Sequence, residues 1–208
     1  MKYGFIKVAS AIPAVKVGDV IFNTQQIEEQ IALAEGKGVE IITFPELSVT
    51  GYSCQDLFRQ QMLLESSEQA VMMLLDFTRK LDIISIVGAP VIAGDLLLNC
   101  GIVIQHGQIL GIVPKTYLPN YSEFYEKRWF TAYNKSHGEF TEFKDQGQIP
   151  FGNLLFKTNE YTFGVEICED LFATISPSSN LSLQGAEIIF NLSASNELVG
   201  KKKNKKNL

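Results

Sequence analysis

The chain has 208 residues, of which 46% are hydrophobic and 20% are charged. That length and composition predict one globular domain with a hydrophobic core and exclude a disordered protein. The apolar runs are strand-sized and fall short of the ~20 residues that cross a bilayer, so no membrane partner is expected. Gly4 and Lys7 interrupt the apolar start of the chain, which argues against a signal peptide, and we expect a cytoplasmic protein.

The formal net charge is −5, but the last eight residues hold five lysines: Lys201, Lys202, Lys203, Lys205 and Lys206. A basic tail on an acidic body is typical either of a nucleic-acid arm or of a solvated chain end. Nothing else in the sequence interleaves basic and aromatic side chains, so the second interpretation is favoured and no nucleic acid is expected. The cysteines at positions 54, 100 and 168 indicate neither a disulfide framework nor a zinc site.

The first half of the chain alternates strand and helix patterns. Residues 5–11 predict a strand, and a helix follows with Asn23 as a candidate N-cap and Gly36 at its end. Residues 40–44 predict a strand that is buried on both faces. Apolar side chains at helical spacing then predict a long helix over residues 62–81.

The second half is richer in strands and hairpins. Its predicted strands are residues 83–90, 96–105, 108–113, 149–157, 161–167 and 186–192. Residues 116–148 form a long aromatic and irregular stretch, and loops of that length inside a domain are usually functional. Strand, helix, strand, helix and then hairpins predict a layered α/β architecture with mixed sheets.

Three predicted strands end in side chains that acyl transfer requires: a carboxylate at Glu46, an ammonium at Lys115 and a thiol at Cys168. A thiol is mostly protonated at neutral pH and needs a base. The chain has two histidines, His106 in a hairpin turn and His137 in a polar loop. A Cys–His pair with His137 stays open as an alternative, but a carboxylate is the more available base.

These residue types predict a division of roles. Glu46, desolvated after Pro45, would take the proton from Cys168, and Lys115 would stabilise the oxyanion together with a backbone N–H after the cysteine. Acids close to Cys168 in sequence would disfavour a free thiolate: Glu166, Glu169 and Asp170. Taken singly, each residue is more often an ordinary loop or core side chain, so the prediction depends on the three occurring together.

A set of short segments carries a resemblance to a known family: residues 44–47 (FPEL), 50–52 (TGY), 115–121 (KTYLPNY), 124–128 (FYEKR), 167–170 (ICED) and 191–195 (NLSAS). Together they resemble the carbon–nitrogen hydrolase, or nitrilase, superfamily over nearly the whole chain through Gly200. Within it, residues 52–58 (YSCQDLF) and 121–130 (YSEFYEKRWF) are most similar to the glutamine amidase domains of glutamine-dependent NAD synthetases.

The resemblance implies an α/β fold, the four-layer α-β-β-α sandwich of the nitrilases, here lacking its last elements. It implies Glu46 as general base, Lys115 as the stabilising cation, Cys168 as nucleophile and Glu126 as a second carboxylate that orients the lysine. It also implies a set of substrate-binding residues: Tyr52, Tyr121, Glu169, Phe172, Ser195 and Lys201.

The implied reaction is hydrolysis of the side-chain amide of glutamine through a cysteine thioester, with no metal or organic cofactor. ATP and deamido-NAD belong to a synthetase domain whose Ser-Gly-Gly-x-Asp-Ser loop is absent from this sequence. The implied partners are glutamine, a synthetase domain on a longer or separate chain, and further copies of the chain in a homo-oligomer.

Two alternatives concern the extent of the domain and its substrate. We expect a hydrolase domain over residues 1–200 that is incomplete at its C-terminal end, because the family continues where this chain turns into the basic tail 201–208. An inactive fragment that acts at most as an interaction module is one alternative interpretation. An amidase for another small amide is the other.

Overall fold

The computed structural model describes residues 4–135 and 139–196. Its strands are β1 (Val8–Ser10), β2 (Ile41–Thr43), β3 (Ile84–Ala93), β4 (Leu96–Gln105), β5 (Gln108–Pro114), β6 (Phe140–Glu142), β7 (Gln148–Pro150), β8 (Leu155–Lys157), β9 (Thr162–Ile167) and β10 (Ile188–Leu192). Its α-helices are α1 (Val20–Gly36), α2 (Gln61–Thr78) and α3 (Pro177–Leu183). None of the helices in this part of the chain is long and apolar enough to cross a membrane.

The strands form two main sheets. The first has the order β1-β2-β3-β4-β5, in which β1, β2 and β3 run parallel and β3, β4 and β5 are joined as antiparallel neighbours. The second has the order β10-β9-β8, with β9 and β10 parallel and β8 and β9 forming a hairpin. A separate ribbon pairs β6 with β7. The mixed sheets expected from the element order are confirmed.

The two sheets pack face to face. At Gly101 in β4, a Cβ atom would lie 3.3 Å from Val165 Cγ1 and 3.4 Å from Leu192 Cδ2, both on the second sheet. The layer between the sheets contains buried side chains from both: Ile41, Ile84, Ile86, Val103, Val113, Phe156, Tyr161, Phe163, Val165, Phe190 and Leu192. Burial of these apolar side chains supplies the main driving force that holds the sheets together.

Helices cover the outer faces of the sheets. Ile27 and Ile31 of α1 and Leu74 of α2 are fully buried in one cluster with Ile42 and Ile102 of the first sheet. On the other side α3 lies against β9, where a Cβ on Gly164 would come 2.8 Å from Leu181 Cδ1. The layers are therefore helix, sheet, sheet and helix, and the predicted α-β-β-α sandwich is confirmed.

The predicted cap of the first helix is wrong. Helix α1 begins at Val20, and Asp19 caps it by accepting the backbone N–H of Phe22 at 3.1 Å. Asn23 lies inside the helix, where its Oδ1 accepts from Lys16 N at 2.8 Å and its amide donates to the carbonyl of Val49 at 3.1 Å. Because Asn23 is buried, its amide group needs hydrogen-bond partners, and these two segments supply them.

The predicted strand over residues 149–157 is also corrected, because it is divided between two sheets. Its first part pairs as β7 with β6, and its last part is β8. Gly152 separates them with a φ of +133°, a conformation that other residues rarely adopt, and its N–H bonds to the carbonyl of Ile112 at 3.0 Å. Helix α3 was not predicted, although Ser176 caps it and Pro177 occupies its first position.

Candidate active site

The candidate residues lie where strands of the two sheets end. Glu46 follows β2, Lys115 follows β5 directly and Cys168 follows β9 directly. Ligand sites in open α/β sheets lie at the carboxyl ends of strands. The segment after β10 connects the two sheets at this edge, because Ala194 N donates to Glu46 Oε2 at 3.3 Å while Ser193 Oγ lies 3.5 Å from Cys168 Sγ.

A buried lysine joins two buried carboxylates at the centre of the site. Lys115 Nζ lies 2.6 Å from Glu46 Oε1 and 2.7 Å from Glu126 Oε1, and all three side chains are at most 1% exposed. Burial alone would lower the pKa of Lys115, but the two carboxylates outweigh it and raise that pKa above its ordinary value. The lysine is therefore a cation at neutral pH and carries three N–H donors.

Glu126 is held by a tyrosine as well as by the lysine. Tyr52 donates its hydroxyl to Glu126 Oε1 at 2.8 Å, so both donors reach the same oxygen. The other oxygen, Oε2, is buried without a partner among the described residues. Burial and the charge of Glu46 raise the pKa of Glu126 to about 7, although the Lys115 ammonium opposes the shift. The predicted placement of Glu126 beside the lysine agrees with this geometry.

Glu46 has a further partner that the sequence interpretation missed. Asn99 Nδ2 donates to Glu46 Oε1 at 2.7 Å, and the carbonyl of Asn99 accepts from Lys115 N at 2.8 Å. Oε1 of Glu46 thus accepts hydrogen bonds from both Asn99 and Lys115. Oε2 accepts only the longer hydrogen bond from Ala194 N among the described residues. A sequence signal was available, because Asn99 lies within the apolar run of β4, whose other amide, Gln105, is its last residue, and Asn99 is only 1% exposed.

Cys168 occupies a strained turn. Its φ is +45°, which places a non-glycine residue in the left-handed region at a cost of ~1 kcal/mol. The residue is partly exposed, whereas Cys54 and Cys100 are buried. Burial of the thiol raises the pKa of Cys168 to about 11, the charge of Glu46 adds to that shift, and Lys115 opposes it. The thiol is therefore neutral at pH 7 and must lose its proton to attack.

A free thiolate at Cys168 is disfavoured, as predicted, but the acids close to it in the chain are not the largest causes. Glu166 points toward α3, where its Oε2 accepts from Ser178 N at 3.0 Å. Glu169 accepts the hydroxyl of Tyr121 at 2.9 Å, and Asp170 binds the loop after Lys115. Burial and Glu46, which is distant in sequence, contribute most to the raised pKa of Cys168. Proximity in the chain overstated the effect of the neighbouring acids.

The predicted substrate-binding residues are distributed around the nucleophile. Tyr52 contacts the charged centre through Glu126, and Tyr121 pairs with Glu169 at the exposed side of the Cys168 turn. Phe172 ends that turn with its side chain 58% exposed, and Ser195 follows β10 as an exposed residue. Lys201 lies outside the described residues. The binding roles of all these residues stay predictions.

The first of the two histidines lies far from the nucleophile. His106 forms the β4–β5 turn at the opposite end of the sheet, 3.8 Å from Asp82, so it is no partner for Cys168. His137 lies outside the described residues. Within residues 4–135 and 139–196, no three His, Cys, Asp or Glu side chains gather as a metal ion would require.

Two clefts differ in their relation to the candidate residues. A cavity of about 320 Å³ borders the site and is lined by Tyr52, Ser53, Gln55, Asp56, Glu123, Tyr125, Arg128 and Trp129. A larger cleft of about 1150 Å³ opens between the sheets at the other end, beside the β8–β9 turn, and no candidate catalytic residue lines it. The candidate catalytic residues therefore lie away from the larger of these two clefts, and clustered buried charges are the better indication of a functional site.

Comparison with known proteins identifies the family. The model of the carbon–nitrogen hydrolase family matches residues 7–205. The chain belongs to the carbon–nitrogen hydrolase family. It is 34% identical over 202 residues to a glutamine-dependent NAD(+) synthetase of Mycobacterium leprae, an alignment that covers 95% of this chain and 29% of that protein. The chain thus spans about three tenths of the length of the curated relatives it matches.

Solved structures of this family share the fold. A glutamine-dependent NAD(+) synthetase from Cytophaga hutchinsonii superimposes with a TM-score of 0.83 and 30% identity, covering 97% of this chain and 33% of that one. An amidase from Nesterenkonia sp. superimposes with a TM-score of 0.73 at 17% identity, covering 92% of this chain and 66% of that one. At that identity the amidase supports the shared fold alone.

Proposed function

We propose that this carbon–nitrogen hydrolase cleaves the side-chain amide of glutamine to glutamate and ammonia through a thioester on Cys168. The observation that carries the proposal is the buried Lys115 ammonium held between Glu46 and Glu126. Burying two carboxylates and a lysine together is a poor way to stabilise a fold, since an apolar trio of similar volume often does better. Such an arrangement is typical of a site where charge serves a reaction.

The first step forms the thioester. Glu46 Oε2 accepts the proton of Cys168 while Sγ attacks the amide carbon, since Oε1 is already engaged by Lys115 and Asn99. Lys115 uses two of its donors on Glu46 and Glu126, and the third would stabilise the developing oxyanion. Glu46 then returns the proton to nitrogen, the C–N bond breaks and ammonia leaves.

The second step releases the acid. Water attacks the thioester carbon and gives its proton to Glu46, the C–S bond breaks, and the proton passes to Sγ to restore the thiol. Glu126 assists both steps by holding Lys115, and its unpartnered buried Oε2 would accept an N–H of the substrate amide. Each group thus returns to its starting state after one turnover.

Recognition of glutamine is supported by the partly exposed acid beside the nucleophile. Glu169 carries a carboxylate that would attract the α-ammonium of the substrate, with Tyr121 fixing its orientation at 2.9 Å. The relatives at 34% identity are named as glutamine-dependent NAD(+) synthetases. We therefore propose that the released ammonia serves a synthetase part, on a longer or separate chain, that amidates deamido-NAD with ATP.

The test combines turnover with covalent labelling. The purified chain is incubated with glutamine, asparagine and butyramide, and ammonia release is measured for each amide. A parallel sample receives a chloromethyl ketone analogue of glutamine and is analysed by peptide mass spectrometry. We expect glutamine to be the preferred substrate and the label to reside on Cys168.

Two variants serve as controls. Cys168→Ala should abolish both turnover and labelling, whereas Cys54→Ala, which removes a buried thiol that donates to Thr50 O, should retain both. Absence of a Cys168 adduct in a folded sample would refute the amidase proposal and favour an inactive interaction module. Preference for butyramide would retain the amidase but refute glutamine as its substrate.

A further inference from the structure

Asp170 is a buried carboxylate that the proposed mechanism does not use. It lies two residues after the nucleophile in the 3₁₀ turn Cys168–Phe172 and is 1% exposed. Its Oδ1 accepts the backbone N–H groups of Thr116 at 3.1 Å and Tyr117 at 2.7 Å. Its Oδ2 accepts the N–H of Ile167 at 3.0 Å. One side chain therefore satisfies three backbone donors.

The donors belong to the two backbones that carry the reacting groups. Thr116 and Tyr117 immediately follow Lys115, and Ile167 immediately precedes Cys168. The two oxygens of one carboxylate are held rigidly by the planar group, so these bonds fix the distance between the two segments. The segments belong to different sheets, and a shift of one sheet relative to the other would otherwise separate the amine from the sulfur.

Burial disfavours the charged form of the Asp170 carboxylate. Burial raises the pKa of Asp170 to about 7, even though the N–H donors of Tyr117 and Ile167 lower it. The turn also contains the left-handed Cys168, whose conformation needs support from its surroundings. A buried acid that spans two sheets beside a strained nucleophile indicates a requirement for geometry more than for stability.

We propose that Asp170 is a positioning residue that holds the Lys115 segment and the Cys168 turn in register across the two sheets. The proposal rests on the proposed acyl transfer, in which the oxyanion must form beside Lys115 as sulfur attacks. Misplacement of a catalytic group by about 1 Å costs on the order of 100-fold in rate. Asp170 would therefore affect attack on a carbonyl much more than the availability of the thiol.

The experiment measures the ratio of two labelling rates on Cys168. Chloroacetone reports attack beside a carbonyl that Lys115 can polarise, and methyl methanethiosulfonate reports thiol availability without a carbonyl. Asp170→Asn keeps the size of the side chain but replaces one acceptor oxygen by an NH₂ group, which opposes an N–H donor. We expect the ratio to fall about 10- to 100-fold, while the thiosulfonate rate changes by less than about 3-fold.

The chain offers a matched control in Glu35. Its carboxylate also accepts two consecutive backbone N–H groups, those of Asp82 at 3.2 Å and Ile83 at 3.0 Å, but at the opposite end of the sheets. Glu35→Gln should leave the ratio unchanged. An unchanged ratio in Asp170→Asn, or an equal fall in Glu35→Gln, would overturn the proposal and leave Asp170 a structural residue.

Two further measurements keep the outcome interpretable. If Asp170→Asn does not fold, Asp170→Glu is measured instead, because it retains the charge and all acceptor atoms but moves them by the length of one methylene. A fall of about 10-fold in the ratio of labelling rates for Asp170→Glu supports the positioning role. An unchanged ratio refutes it. Chloroacetone lacks the amino-acid part of glutamine, so the ratio tests Asp170 even if glutamine is not the substrate. If the wild-type protein does not hydrolyse glutamine but the ratio still falls in Asp170→Asn, only glutamine is rejected as the substrate, and the positioning role of Asp170 stands.

Discussion

The two ends of the sheet sandwich handle polar groups in opposite ways. At the end that carries Cys168, three ionisable side chains are fully buried and bonded to one another: Lys115, Glu46 and Glu126. At the other end a cleft of about 1150 Å³ opens between the sheets, with polar groups such as Lys157 exposed at its rim. The larger of the two cavities thus lies at the end where charged side chains such as Lys157 are exposed to solvent.

The difference shows that the cost of burying charged groups is concentrated at the Cys168 end of the sandwich. Burying a charge requires partners with good geometry, and removing one partner leaves an uncompensated charge. Exposed charges carry no such requirement, and most of their pairs contribute little. Residues at the Cys168 end should therefore respond to substitution far more strongly than residues of the same type at the other end.

The largest expected effect compares two lysines. Lys115→Met would leave the carboxylates of Glu46 and Glu126 buried side by side without their cation, and we expect a loss of about 3–5 kcal/mol in the free energy of unfolding. Lys157→Met, at the rim of the distant cleft, should change it by less than about 0.5 kcal/mol. Urea denaturation followed by circular dichroism measures both. A similar change in the two variants would remove the contrast between the ends.

An intermediate effect compares two glycines. A Cβ on Gly88 of β3 would lie 2.6 Å from Pro45 O and 2.9 Å from Glu46 C, so Gly88→Ala must displace the backbone beside the proposed base. We expect a loss of about 2–3 kcal/mol in the free energy of unfolding, together with reduced amide hydrolysis.

Gly36, the last residue of α1, provides the control for that glycine. Apart from its own stretch of helix, no atom lies within 4 Å of the position that a Cβ would take, and its φ is ordinary. Gly36→Ala should stabilise the protein by about 0.5–1 kcal/mol, because alanine loses less backbone entropy in a helix. Thermal unfolding measures the melting temperature, which should fall for Gly88→Ala and rise for Gly36→Ala. An equal change in the two variants would contradict the packing described around Gly88.

The smallest perturbation is a change of pH on the unmodified protein. Because the thiolate is the reactive form and the pKa of Cys168 is raised to about 11, its alkylation by iodoacetamide should rise about tenfold per pH unit from pH 7 to pH 10. Cys54 and Cys100 are buried and should stay unlabelled in the folded protein. Peptide mass spectrometry follows each thiol. A plateau between pH 8 and 9 would show that the thiol is not shielded as described.

Much of the site was predictable because strand ends are visible in a sequence. Pro45 and Pro114 mark two of them, and the apolar run before Cys168 marks the third, so Glu46, Lys115 and Cys168 were candidates before any coordinates. Glu126 was identified only by resemblance to a family, since its surroundings in the chain are irregular. The partnership of these residues was a hypothesis, and the contacts of Lys115 with Glu46 and Glu126 became known only from the fold.

By itself the sequence determined the alternation of strands and helices, the layered class of fold and the family, because apolar periodicity and short motifs are local properties. Only the tertiary structure decided the roles of Asn23, Asn99 and Asp170. Each of these polar side chains is buried and has at least one partner in a segment distant along the chain. A buried polar group takes whichever partner the packing brings within about 3 Å, and no local pattern encodes that choice.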